Sequence, residues 1–144
     1  MEGAAQRIGV SLIVAEAHKL DEIEAAFAHL HARGAQALVV QQDPLFTDQR
    51  RYIVKLAEKH KLPAIYPFRT YVEAGGLMSY GADMAQLFEH AADYVSRILN
   101  GAKPNGLPIE RPSRVYLALN VKRAGELGIT IDSALAALAD EVIE

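Results

Sequence analysis

Cysteine is missing from the 144-residue chain, which rules out a disulfide framework, thiol catalysis and thiolate metal ligation while leaving the compartment open. Long apolar runs are missing too. None approaches the ~18 to 20 residues that span a bilayer, and the start Met1-Glu2-Gly3-Ala4-Ala5 lacks the basic n-region of a signal peptide. If the protein is exported, its signal is expected outside this chain. Positive charge is not in excess: Lys and Arg number 15 against 18 Asp and Glu, a formal net charge of −3. No basic cluster interleaves with aromatics, so no nucleic-acid partner is expected. Neither the dinucleotide fingerprint Gly-x-Gly-x-x-Gly after a strand nor the phosphate loop Gly-x-x-x-x-Gly-Lys-Ser/Thr occurs, so no nucleotide cofactor is called for.

What is present is enough apolar material, 51% of residues against 23% charged, for a domain with a substantial core. Residues 1–8 read as the tail of a helix closed by Gly9, and Val10 to Ala15 as a short strand. Leu20, Ile23, Phe27 and Leu30 recur at helical spacing before Gly34, and the apolar run Ala35 to Val40 follows as a second strand. After the break Gln41 to Phe46, Thr47 is expected to cap a helix that buries Tyr52, Ile53, Leu56 and Ala57. Leu62 to Tyr66 and Leu77 to Tyr80 read as the third and fourth strands, separated by at most a helical turn at Thr70 to Ala74.

Asp83 opens the clearest helix, whose Met84, Leu87, Phe88, Ala91, Val95, Ile98 and Leu99 share one face and which Gly101 stops. Residues 101–113 hold three of the six prolines and form a connector. Val115 to Asn120 is a fifth strand, Val121 to Leu127 a short helix, and Asp132 caps a last helix from Ser133 to about Ala139. Strands alternating with helices predict an α/β fold: a mostly parallel sheet flanked by helices on both faces.

In open parallel sheets, ligands sit beyond the carboxyl ends of the strands. That rule selects Asp43, Tyr66, Phe68, Arg69, Ser79 and Tyr80 as the rim: aromatic faces for stacking, a guanidinium for a carboxylate, a carboxylate for an amine, and a hydroxyl. It is a recognition set with no catalytic residues in it. The nucleophile elbow Gly-x-Ser-x-Gly is not met by Gly76-Leu77-Met78-Ser79-Tyr80-Gly81. His18, His29, His31, His60 and His90 show no i, i+4 pairing, so no metal site is expected and they read as solvated or partly buried. Tyr66, Phe68, Tyr71 and Tyr80 fit equally well a core patch under a loop or the lining of a pocket.

The run Leu62-Pro63-Ala64-Ile65-Tyr66-Pro67-Phe68-Arg69, then Val72-Glu73-Ala74-Gly75-Gly76-Leu77-Met78-Ser79-Tyr80-Gly81, then Tyr94-Val95-x-Arg97-Ile98-Leu99-x-Gly101-Ala102-Lys103-Pro104, closely resembles the ABC-transporter substrate-binding proteins of the TrpX-like type. Asp43-Pro44-Leu45-Phe46, Leu107-Pro108-Ile109-Glu110 and Leu127-Gly128-Ile129-Thr130-Ile131 agree with it. The resemblance implies a two-lobed type I periplasmic binding fold that closes on a small ligand, an amino acid at the family level, and delivers it to a membrane permease without catalysis.

By the same resemblance the chain corresponds to the second lobe only, with its first strand missing, and the whole protein would be periplasmic or lipid-anchored outside the cytoplasm. The expected organisation is a ligand-binding lobe at 1–82, a helix at 83–100 packing on the missing first lobe or a partner chain, a crossover linker at 101–113, and the final strand and helices at 114–144. Uncovered apolar edges predict a homo-oligomer, a domain swap or a remnant of a longer chain. The alternative is a phosphoacceptor receiver-like signalling domain using Asp43, although Glu16 alone follows the first strand where such a domain needs two acids for Mg²⁺.

Overall fold

Ile23, Phe27 and Leu30, at intervals of four and three, are the buried residues of the helix Leu20–Ala32, the spacing that aligns side chains on one face. The computed structural model in which this is seen describes residues 2–110 and 114–144, so the end of the expected connector, residues 111–113, lies outside the described residues. Contacts divide the chain into two units, 1–64 and 65–144.

In the first unit, helix α1 (Glu2–Arg7) ends at Gly9, whose φ of 70° belongs to the left-handed region that glycine enters without penalty. The segment Val10 to Ala15 is not a strand. Val10 and Val14 are exposed, and among the described residues no ladder bond holds this segment. β-branched composition favours a pleated surface only when a neighbouring strand supplies it. Helix α2 (Leu20–Ala32) packs on α4 (Arg50–Lys59), which buries Ile53, Val54, Leu56 and Ala57.

Between them lie strand β1 (Leu38–Val39) and helix α3 (Pro44–Asp48). The Leu38 N–H donates to the Pro63 carbonyl at 2.8 Å. Thr47 does not cap α4. It sits inside α3, its hydroxyl donating to the Asp43 carbonyl at 2.9 Å, because Asp43-Pro44 starts a helix one turn earlier than expected: Pro44 has no N–H to leave unsatisfied, and the Asp43 Oδ1 accepts from the Leu45 N–H at 2.8 Å.

The sheet has the strand order β1–β2–β3–β4–β5, with β2 at Ala64–Tyr66, β3 at Met78–Ala82, β4 at Val115–Asn120 and β5 at Glu141–Ile143. β2 and β4 lie parallel to β3 and β5 respectively, while β3 and β4 run antiparallel over the five pairs from Met78↔Leu119 to Ala82↔Val115. The class is α/β, a mostly parallel sheet flanked by helices.

Sequence reading missed β5. Three residues of the acidic end Glu141-Val142-Ile143-Glu144 carry too little strand pattern, and what holds them is tertiary: the Asp140 Oδ2 accepts from the Leu117 N–H at 2.9 Å and Arg114 pairs with Oδ1. The second unit also holds α5 (Arg69–Glu73), which packs over β3 and β4, and α7 (Val121–Glu126), against β5. Two further α-helices among the described residues are α6 (Met84–Leu99) and α8 (Ser133–Leu138). Asp83 caps α6 by accepting from the Ala85 and Gln86 N–H groups, and Asp132 caps α8, both as the sequence indicates. Phe88, on the apolar face expected of this helix, is 69% exposed, and α6 has no buried residue.

Candidate functional site

Side chains paired directly across a ladder share a face of the sheet, and neighbours along a strand alternate between faces. The registers Tyr66↔Ser79, Ser79↔Ala118 and Ala118↔Glu141 therefore form one row across β2, β3, β4 and β5. Tyr116 and Gly81, two residues along, lie on the same face. α5 lies over this row. Its Tyr71 stacks on Tyr66 with ring centroids 4.8 Å apart and an interplanar angle of 14°.

Tyr66 is 2% exposed and Ser79 1%. Burial pushes the Tyr66 hydroxyl up from its ordinary value, while the Arg123 charge pulls it the other way. The Ser79 Oγ is buried with no hydrogen-bond partner among the described residues. Two of the six rim residues thus line the underside of α5 and present little surface to a solute.

The glycines explain how α5 comes so close. Gly75 takes φ 97°, a left-handed conformation that ends α5, and its carbonyl accepts from the Arg123 Nε at 2.9 Å. Gly76 leaves room for the aromatic stack: a Cβ there would meet the Tyr66 ring at 2.6 Å and the Tyr71 carbonyl at 2.8 Å. At Gly81 a Cβ would collide with the Pro67 carbonyl oxygen. The pair Gly75-Gly76 thus divides two roles, positive φ at one residue and close approach at the other.

Arg69, the first residue of α5, reaches over the end of the row. Its Nη2 donates to Glu141 Oε1 at 2.9 Å, its Nε to Glu141 Oε2, and its Nη1 pairs with Glu73 Oε1 at 2.6 Å. The Tyr116 hydroxyl stands 3.5 Å from Glu141 Oε2. This is the fork-on-carboxylate arrangement for which a guanidinium is shaped, and the hydrogen bond from Arg69 holds the Glu141 carboxyl below its ordinary value. One cation between two carboxylates leaves a local charge of −1. The contacts take three of the five guanidinium N–H donors, and the Arg69 side chain is 48% exposed.

The remaining rim residues do not join this group. Tyr80 follows Ser79 on β3 and therefore points to the opposite face, where it is 58% exposed. Phe68 occupies the N-cap position of α5 and is half-buried. Asp43 belongs to the first unit, where one carboxylate oxygen caps α3. The carboxylates that flank Arg69 escaped sequence reading. Glu73 stands at i+4 on the same helical turn and was within reach of that rule, whereas Glu141 is 72 residues away and joins the site only through β5.

Among the described residues no group of three or more His, Asp and Glu could hold a metal ion, and no helix is long and apolar enough to cross a membrane. A groove of about 830 Å³ in the first unit is lined by Lys19, Leu20, Asp21, Glu24, Gln49 and Tyr52. None of the six rim residues lines it.

With this geometry in place, comparison with solved structures finds similar folds, three of them as follows. A conserved domain protein from Vibrio cholerae shares 28% identity at a TM-score of 0.88, over 98% of this chain and 47% of that one. An ABC domain in complex with L-Trp from Streptococcus pneumoniae shares 26% identity at 0.88, over 98% and 49%. The ligand-free, open structure of a substrate binding protein with adhesive properties from Clostridium difficile shares 20% at 0.68, over 99% and 47%, a likeness of fold alone. The chain spans about half the length of these structures. Comparison with curated proteins gives no match. The family model of the ABC transporter substrate binding proteins matches residues 1–143, so the receiver-domain alternative lapses, and the chain belongs to the ABC transporter substrate binding protein family.

Proposed function

We propose that the chain serves as part of the solute-binding component of an ABC-type uptake system, working outside the cytoplasm, handing a small molecule, an amino acid, to a membrane permease and doing no chemistry on it. The observation that carries this reading furthest is the Arg69 centre. A half-exposed guanidinium with donors to spare, flanked by Glu73 and Glu141, offers a zwitterion both of the charges it needs: N–H groups for a carboxylate, carboxylates for an ammonium. A simple anion would meet the local −1 charge and be disfavoured. Phe68 supplies apolar surface beside it, while Tyr66 and Ser79 support α5 from below. Tyr80, on the other face, supplies aromatic surface there, and Asp43 acts by holding the start of α3.

The relative solved with L-Trp supports an aromatic amino acid within this class. Half the length of such relatives is half a cleft, and the exposed apolar residues of α6, Met84, Phe88, Val95, Ile98 and Leu99, support association with a second copy, as a dimer or a domain swap, or with the remainder of a longer chain. Isothermal titration against L-Trp, L-Phe, L-Leu, L-Glu and L-Lys tests the reading. Saturable binding of a neutral amino acid, weakened at least tenfold by Arg69→Ala, is expected. Binding of a free carboxylate such as indole-3-acetate as tightly as L-Trp would sink the zwitterion argument.

A further inference from the structure

Two histidines that sequence spacing keeps apart meet in the first unit. His31 lies in the last turn of α2 and His60 is the C-cap residue of α4, and their ring centroids are 5.2 Å apart with the planes tilted by 52°. His60 also stacks with Phe27 at 5.9 Å and 27°. His31 is exposed and His60 half-buried, so the pair opens to solvent along one edge and rests on the core along the other.

We propose that His31 and His60 form a two-histidine site for a divalent transition-metal ion of the Zn²⁺ or Ni²⁺ kind, clasping the C-terminal ends of α2 and α4. The spacing is the first argument. A metal–nitrogen bond of about 2.0–2.1 Å, with the ring centre a little over an ångström beyond, puts two imidazoles that meet an ion at the tetrahedral angle about 5.2 Å apart, centre to centre. A half-turn about χ2 exchanges carbon for nitrogen at the facing edge of either ring.

Electrostatics is the second argument. Both ends are helix C-termini, where the helix dipole favours a cation, and the nearby Lys59 is neutralised by Glu24 at 2.9 Å. With two protein ligands, water completes the shell, which suits a borderline-soft ion that accepts imidazole and disfavours Mg²⁺ or Ca²⁺, whose preference is for oxygen. His29 is two residues from His31 and on another face of α2, which makes it an internal control.

The test uses the full chain without a histidine tag. At millimolar Ni²⁺ or Zn²⁺ the melting temperature is expected to rise by roughly 2–6 °C, because an ion held only by the folded chain stabilises it. Mg²⁺ should do nothing, EDTA should reverse the rise, and titration should give one ion per chain. His31→Gln and His60→Gln should each weaken binding at least tenfold while His29→Gln leaves it unchanged. Because a C-cap variant can perturb folding, acylation of the unmodified protein by diethylpyrocarbonate gives a second readout. Zn²⁺ should protect His31 and His60 and leave His29 reactive. Equal shifts with Mg²⁺, unchanged binding in both variants, protection spread over all histidines, or no binding at millimolar ion would each overturn the site.

Discussion

Helices α4 and α6 are written in the same language and meet opposite fates. Both carry an amphipathic stripe, Ile53, Val54, Leu56 and Ala57 in one and Met84, Leu87, Phe88, Val95 and Ile98 in the other. In α4 the stripe is nearly closed to solvent, Ile53 and Val54 at 3% and Leu56 and Ala57 at 4%, whereas α6 buries nothing and leaves Phe88 69% exposed. Periodicity predicts that a helix has an apolar face; it says nothing about what lies opposite that face. α4 finds α2 within its own unit. For α6, the association proposed above would supply that covering surface.

The comparison breaks most sharply under truncation. Leu56→Ala removes packed atoms from a closed core and is expected to cost about 2–5 kcal/mol in denaturant unfolding. Phe88→Ala deletes more carbon, yet in dilute protein should move the same melt by under about 0.5 kcal/mol, as surface changes do. At high concentration, where the proposed copies associate, Phe88→Asp should lower the mass seen by light scattering and abolish the dependence of the melting temperature on concentration. A Phe88→Ala cost near that of Leu56→Ala in dilute monomer would mean that the stripe is buried within one chain after all.

A second pair of sites sharpens the contrast between close approach and open space. Gly81 has the Pro67 carbonyl oxygen where a Cβ would stand, while Gly3 has nothing within 4 Å. Gly81→Ala forces β3 away from the turn after β2 and is expected to cost about 1–3 kcal/mol, the range of overpacking. Gly3→Ala, inside α1, should gain up to about 1 kcal/mol from helix propensity. Equal and small effects on the unfolding midpoint would remove the claim that glycine at 81 is needed for α5 to sit on the row.

How much of this was legible follows from the range of the interactions. The α6 helix and its Asp83 cap are local, decided by residues within one or two turns, and sequence delivered both. The Val10 to Ala15 strand and the missed β5 failed for one reason: a strand exists by its partner, which spacing along the chain does not name. The rim rule drew on residues that do come after strands, Arg69 and Phe68 after β2 and Asp43 after β1. It failed to sort side chains by face, although the alternation that sends Ser79 under α5 and Tyr80 to the other side was readable once β3 was called. The Arg69–Glu141 fork and the His31–His60 contact lie beyond any such reading, being set by tertiary packing alone.

The smallest expected effect concerns how β5 is held. Glu141 is kept below its ordinary value of 4.5 by the hydrogen bond from Arg69, and Asp140 below 3.8 first by the Leu117 N–H and then by Arg114. Each carboxyl therefore stays charged in the folded protein to a lower pH than in the unfolded chain. Below those ordinary values the unfolded chain takes up protons that the folded one refuses, so the stabilisation is full above about pH 4.5 and fades as pH falls further. The fork is partly exposed and screened, so at neutral pH Arg69→Gln should cost only about 0.2–1 kcal/mol. The pH dependence is the more telling readout. Below pH 4 the difference between wild type and Arg69→Gln should shrink, and amide exchange at Val142 and Ile143 should quicken in wild type toward the rate seen in the variant. A gap that widens in acid would show that Arg69 supports β5 through packing of its stem and not through its charge.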